Sequence, residues 1–465
     1  IELRHIGLGR GTVLAFFVVS ALHPQWYGSE MSRIYRDGLL AAITFLGVGL
    51  SLRLGRVLQM WLLHKGWRNR QSFEIACLVL LSGISLSWFI ATKPSWYPLA
   101  FVMLLLSLRR FILLHFRDWR TWLPKCLFAA TIFILGLSSI VGYVIQQNRN
   151  HYGVTELDSF SGGSFPRALN EWSSVKSDDS RKYLLVDASQ RRRVYDVSVV
   201  ARKLEPYLEM SWGNGWRGSA CSSPLKICDE SATWFVWDLR DAIHKAGLDT
   251  TAVQFEKTSE RLADEISTAC SAKRIECGHG GLAPGLIALD EMSKREVIDA
   301  YATALDWITF PDIGYTARGG LPAGDPTLVK YWDQVVRGLP ERSALNPYRP
   351  ETGAIGNTIS LMQRLYNVFW PVLVLTAMLA SILIFFRKLM RRELATIYFA
   401  VGAGVVLFIG QLALLEASTG MYLSTGRSLY LLPIFPLFMV LIGVSLGSLV
   451  NLMRNWISNT QTTDS

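Results

Sequence analysis

The chain reads as an α-helical polytopic membrane protein of about eight spans, with an α+β domain inserted on the extracytoplasmic side. Three observations predict this class. Half of the 465 residues are hydrophobic, mean hydropathy is +0.26, and only 18% are charged, against about 25% in ordinary soluble proteins. Eight apolar stretches cluster as five before and three after one long polar interval. Basic residues fall in alternate loops between them.

A span needs about 20 apolar residues to cross roughly 30 Å of hydrocarbon. Stretches at 11–27, 38–60, 73–92, 96–116, 125–146, 368–386, 394–416 and 427–450 meet that need, the first of them weakly. With the N-terminus inside, the cytoplasmic loops carry 17 Lys and Arg and the short outer loops four: Arg33, Arg36, Lys93 and Arg427. The positive-inside rule therefore puts both termini in the cytoplasm and residues 147–366 outside it. Arg53, Arg56, Arg109 and Arg110 fall inside spans as drawn; they are expected to snorkel to the headgroups, or those spans end earlier than drawn. The organisation is spans one to five in 1–146, the inserted domain in 147–366, spans six to eight in 367–453, and a cytoplasmic tail at 454–465. The chain begins on Ile rather than Met, so a processed or partial chain is expected.

The net charge of +10 does not mark a nucleic-acid binder. Residues 147–366 hold 26 Lys and Arg against 29 Asp and Glu, so all the excess positive charge lies among the spans, where it sets topology.

Within the inserted domain, Tyr183–Asp187 (YLLVD) reads as a short buried strand. Val194–Leu208, Thr233–Ala246, Phe255–Cys270 and Lys294–Ile308 carry helical periodicity, and Gly247 stops the second of these. Gly-, Pro- and Ser-rich segments at 159–166, 278–285 and 317–326 read as loops. Cys221, Cys228, Cys270 and Cys277 form two CxxxxxxC pairs. An even count in an oxidising compartment implies disulfides, and local pairing of Cys221 with Cys228 and Cys270 with Cys277 is the preferred one of three connectivities. A metal site with His279 is the rival, but six intervening residues exceed the usual zinc spacing. Cys77 and Cys126, within spans, read as small buried hydrophobes.

P-loop, HExxH, GxSxG, CxxC and GxGxxG motifs are all absent. The Arg191-Arg192-Arg193 run reads as a solvated turn, and Asp238 and Asp241 as either a carboxylate pair or surface ion-pair partners. His151 is a further candidate base. Among the seven tryptophans of 147–366, Trp234 and Trp237 read as a helix core face. Trp212 and Trp216, in the WGNGW loop, are candidates for stacking on a sugar ring. The outer membrane edge gathers Glu30, Asp37, Lys93, Tyr97, Glu416, Arg427 and Tyr430, and ionisable groups at that depth are functional candidates. Chemistry on a polyprenyl-phosphate sugar needs cations for the phosphate and a carboxylate base for the acceptor hydroxyl. Glu30 and Asp37 are the candidate catalytic carboxylates; Arg427, Tyr430, Lys93, Trp212 and Trp216 are the candidate substrate contacts. No organic cofactor is called for; a divalent metal ion is the one cofactor left open, with no ligand set assigned.

The closing stretch STGRSLYLLPIFPLFMVLIG, with Arg427, Tyr430, Pro433 and Pro436, resembles the R-x(n)-Y-x-x-P-x-x-P close of polytopic bacterial GT-C-type glycosyltransferases. TKPSWYP at 92–98 is similar to the Thr/Ser-Lys-Trp segment of arabinosyltransferase-like proteins. Together they cover about 30 residues. The resemblance implies a glycosyltransferase or glycan ligase of the bacterial inner membrane, with a lipid-linked sugar donor and a glycan acceptor. O-antigen ligases and polymerases are similar in layout. Two departures stand: Glu30 and Asp37 are seven residues apart instead of forming a close acidic pair, and the family generally has more than eight spans. A non-catalytic envelope-assembly or glycan-binding protein is the alternative. A transporter fits less well, because the spans lack midplane charges.

Overall fold

The computed structural model describes residues 36–63, 69–92, 97–109, 119–278 (apart from 161, 180, 210–215 and 224), 294–309, 354–386, 392–420, 431 and 434–463. Its helices are α1 (Arg36–Leu63), α2 (Asn69–Thr92), α3 (Tyr97–Leu108) and α4 (Trp119–Tyr152), then α5 (Ser164–Ser173), α6 (Ala188–Val197) and α7 (Val199–Glu209). There follow α8 (Trp216–Ser222), α9 (Phe235–Lys245), α10 (Ala252–Ser271), α11 (Lys294–Thr309), α12 (Ala354–Phe386), α13 (Arg392–Thr419) and α14 (Phe435–Thr463). Among the described residues, four helical stretches are long and apolar enough to cross a membrane: Leu39–Leu62, Arg70–Thr92, Leu123–Tyr152 and Ala395–Thr419. Shorter apolar helices at Tyr97–Leu108, Arg364–Ala380 and Phe435–Val450 occupy three more of the expected positions. The expected span at 11–27 lies outside the described residues.

Packing divides the chain into two units, one of Leu46–Leu305 with Val406–Tyr430, the other of Ile1–Phe45, Asp306–Val405 and Leu431–Ser465. In the second, the Trp370 indole on α12 donates to the Ile308 carbonyl (2.9 Å), and its ring leans on Phe435 of α14.

In the first unit, α2 and α4 cross at Gly83 and Gly136, whose missing side chains let the two backbones touch. The Ser87 hydroxyl accepts the Val141 N–H (3.0 Å) further along the same contact. At the other end, Trp61 of α1 is fully buried. Its indole donates to Ser72 (2.9 Å), and its carbonyl accepts from the buried Lys125 ammonium (2.7 Å). Arg109 does not snorkel; α3 ends before it, short of the stretch drawn at 96–116. Its guanidinium is buried and donates to the carbonyls of Leu106 (2.7 Å) and Leu52 (2.8 Å), in space left by Gly55. A buried cation needs such partners, and helix carbonyls supply them. Arg53 pairs with Glu74 of α2 (2.7 Å).

The α4 helix has 34 residues, about 51 Å at 1.5 Å per residue. It therefore exceeds the hydrocarbon thickness and runs on into the domain at 153–278, called here the interspan domain. Among the described residues that domain is helical and has no β-strand. Its one ladder contact is an isolated antiparallel bridge between Val175 and Cys277. The inserted domain's expected strand at Tyr183–Asp187 is irregular chain. Leu185 and Val186 are buried in the helical core, and Asp187 caps α6 through a capping box with Gln190. An apolar run of that length is ambiguous between strand and buried lead-in when no partner strand lies beside it.

The periodic stretch 194–208 is two helices, broken at Ser198. Gly247 (φ +67°) ends α9 one residue after its cap, as expected. The core holds Phe165, Trp172, Val194, Leu204, Phe235 and Ile266. Trp234 and Trp237 lie outside it: the inward face of α9 is Phe235, Leu239, Ala242 and Ile243, and Trp237 is 37% exposed. The two local disulfides, Cys221–Cys228 and Cys270–Cys277, are the preferred pairing, with Cα separations of 4.1 and 5.6 Å.

Candidate functional site

Three groups of side chains in the interspan domain carry chemistry. The first is a buried charge network. Arg191 of α6 is 2% exposed, with its guanidinium bonded to Glu230 (2.6 Å) and Glu209 (2.8 Å). Glu209 also accepts from Tyr195 (2.9 Å) and from Arg217 (3.2 Å). The Arg-rich run is thus helical, and its first member sits in the core; charge alone reads it as solvated because its partners lie 18 and 39 residues away. Burial pushes the Glu209 carboxyl up, but hydrogen bonds from Arg191, Tyr195 and Arg217 outweigh it and hold the group at about 2. At Asp238 burial prevails over the hydrogen bond from Ser231 and raises the carboxyl from its ordinary value.

A carboxylate depressed on folding, such as Glu209, adds stability above its unfolded value near 4.5 and loses it as pH falls toward 2. Asp187 and Glu265, also lowered by hydrogen bonds that outweigh burial, act in the same direction. The thermal midpoint is expected to stay level from pH 7 to about 5 and to fall below about 4.5. Glu209→Gln should flatten that acid limb, and an unchanged limb would remove Glu209 from the account.

The second group is aromatic. Trp216 stacks on Trp234 and Trp237 (centroids 5.6 and 5.8 Å, planes within 24°), and its indole donates to Asp241 (2.7 Å). Trp237 meets Phe160 at 4.5 Å. Asp238 and Asp241 each have a separate donor, the Ser231 hydroxyl and the Trp216 indole.

The third group forms a cleft of about 260 Å³ where α4 enters the interspan domain. Asn148 and Tyr152 reach it from the last turns of α4, Glu156 and Asp158 from the following loop, Arg240 from α9, Asp249 from the loop before α10, and Glu256 from the start of α10. Phe255 supplies an apolar wall. The Asn148 amide donates to the Glu156 carbonyl (2.7 Å), fixing the loop on the helix end. Glu256 accepts the Ser164 N–H (2.7 Å) and caps α5, a contact that the glycine at 163 (φ +77°) makes room for. Arg240 lies over the rings of Phe160 (4.9 Å) and Phe255 (5.3 Å) and donates to Ser159. Asp249 holds His244 at 3.1 Å. The cleft thus offers carboxylate acceptors, an amide, a guanidinium and aromatic walls within one small volume. That set can hold a polyhydroxylated ligand by paired hydrogen bonds.

Of the residues singled out by sequence, Trp216 does not line the cleft; it connects to it only through Trp237, Phe160 and Arg240. Asp37 lies in the first turn of α1 and Glu416 in the last turn of α13. His151, exposed at the end of α4, bonds Gln147 (3.0 Å). Glu30, Lys93, Trp212, Arg427, Tyr430 and His279 lie outside the described residues. Sequence reasoning did not find the cleft, because its residues come from two segments about 80 positions apart and follow no motif. Among the described residues no group of three or more His, Cys, Asp or Glu side chains is placed to hold a metal ion. No protein-family model, curated protein or solved structure matches this chain.

Proposed function

We propose that the chain is a polytopic protein of the bacterial inner membrane that handles a lipid-linked glycan at the outer face, as a glycosyltransferase or glycan ligase. The observation that carries this reading is the cleft at the end of α4. A sugar on a polyprenyl phosphate sits just outside the hydrocarbon, and the cleft opens where a membrane-length helix becomes a polar domain. Its carboxylates and guanidinium suit vicinal hydroxyls, and Phe255 and Tyr152 suit the apolar face of a ring. In this reading Glu30 or Asp37 is the base on the acceptor hydroxyl, and Lys93, Arg427 and Tyr430 hold the donor phosphate. An Arg fork grips phosphate oxygens bidentately, which Lys does not reproduce.

A non-catalytic glycan-binding role is favoured by one observation. Glu156 and Glu256 accept backbone N–H groups of Thr155 and Ser164, an arrangement that orients carboxylates to accept hydroxyls rather than to move protons.

The test uses the full chain in nanodiscs and a deletion strain. Asp249→Asn and Arg240→Gln should each weaken binding of a polyprenyl-linked oligosaccharide by about tenfold, from loss of a charged hydrogen bond. The deletion strain should accumulate that lipid-linked glycan, and Arg427→Lys should fail to relieve it while inserting normally. Binding without accumulation selects the non-catalytic role. Neither binding nor accumulation defeats both readings.

A further inference from the structure

We propose that the Cys221–Cys228 disulfide is a redox-sensitive latch holding the C-terminal end of α13 in a socket on the interspan domain. The proposal is independent of what the cleft binds.

The α13 helix ends at Gly420, in the left-handed conformation (φ +66°), where its N–H closes the last turn on the Glu416 carbonyl (2.7 Å). A side chain there would meet the Leu225 methyl at 2.6 Å and the Tyr183 ring at 3.2 Å. The helix end is thus pressed between two loops. Leu225 stands inside the loop that Cys221 and Cys228 close, and its N–H is held by the Ser223 hydroxyl (3.2 Å). Tyr183 belongs to the second loop, itself in a left-handed turn (φ 65°). Arg181 ties the two walls together through both oxygens of Asp229 (2.7 Å each), one residue past Cys228.

The two disulfides differ in surroundings. Cys228 is exposed, whereas Cys270 and Cys277 pack against the domain core. An external dithiol can therefore reach Cys228. Its thiolate attacks the Cys228 sulfur, the bond to Cys221 breaks, and Cys221 leaves as a thiolate that takes up a proton. The second thiol of the reagent then displaces Cys228, which is protonated in turn. Two electrons pass to the bridge and the dithiol becomes a disulfide. With the short loop open, its chain freedom rises, and Leu225 no longer presses on Gly420. The end of α13 then loosens.

Hydrogen exchange on the full chain in nanodiscs tests this, read on peptides covering 413–420. Mild dithiothreitol treatment should speed exchange at the α13 end by about tenfold, and Cys221→Ser with Cys228→Ser should show the fast state without reductant. Leu225→Ala in the oxidised protein should do the same, which keeps the test intact if the serine variant misfolds. A variant with Cys270→Ser and Cys277→Ser should keep the response to reductant. Unchanged exchange on reduction and in Leu225→Ala, or a response that disappears with Cys270 and Cys277, overturns the latch.

Discussion

Replacing Arg191 by alanine is expected to lower the melting midpoint of the interspan domain by about 10–20 °C. The Arg191 side chain is 3% exposed and that of Glu230 is 6% exposed, so the pair is sealed from water. Removing the guanidinium leaves Glu230 buried with one remaining donor, the Ala188 N–H at 2.9 Å, and strips Glu209 of two bonds. Breaking one side of a buried ion pair costs about 3–5 kcal/mol. A domain of this size has only about 5–15 kcal/mol in hand. Arg191→Lys should fall between, because an ammonium cannot span two carboxylates on opposite sides of one planar fork. Arg191→Met combined with Glu230→Leu should recover most of the loss, since exchanging a buried pair for apolar groups of similar volume is often neutral. Thermal melting of the full chain, followed by limited proteolysis of the domain, measures all three. An alanine variant that melts with the parent would show that the network holds nothing together.

What the sequence disclosed follows the range of the forces involved. Apolar run length is a local property, so the membrane-length helices at Arg70–Thr92 and Leu123–Tyr152 are legible directly. Cap chemistry is local too: Asp187 and Gln190 stand three apart and form the box that starts α6. The disulfides follow from parity and spacing. Helix phase is less secure. Trp234, just before α9, and Trp237 on it are the largest apolar residues there, yet Phe235, Leu239, Ala242 and Ile243 share the inward face, and the indoles stack on Trp216 instead. Size drew attention to the wrong side of a helix whose register is set by packing. Arg191 and Arg109 fail for a related reason. A cation is expected in water unless partners exist, and their partners are Glu209, Glu230 and the Leu52 carbonyl, far along the chain. The cleft is assembled by the same long-range packing, so no window of sequence contains it.

Gly136→Val is expected to separate α2 from α4. A Cβ at Gly136 would lie 2.5 Å from the Leu80 carbonyl oxygen and 3.1 Å from the Ile84 nitrogen, and one at Gly83 would lie 2.5 Å from the Phe133 oxygen. All of these are backbone atoms of packed helices, so no rotamer change relieves the overlap and the helices must move apart. Overpacking of this kind costs about 1–3 kcal/mol in a soluble core. Within a bilayer the consequence is larger in kind, because lipid tails are as apolar as side chains and close packing is itself what holds helices together. Separation also stretches the Ser87–Val141 hydrogen bond, now 3.0 Å. A Ser87→Cys, Val141→Cys pair, in a background without Cys77 and Cys126, should cross-link readily in the parent. Gly136→Ala should slow the cross-link several-fold and Gly136→Val should abolish it. Gly142→Val is the control: it lies on the same helix, with open space where its side chain would stand, and should leave cross-linking unchanged. Equal behaviour of the two valine variants would mean that valine's helix propensity, and not the glycine contact, sets how these spans meet.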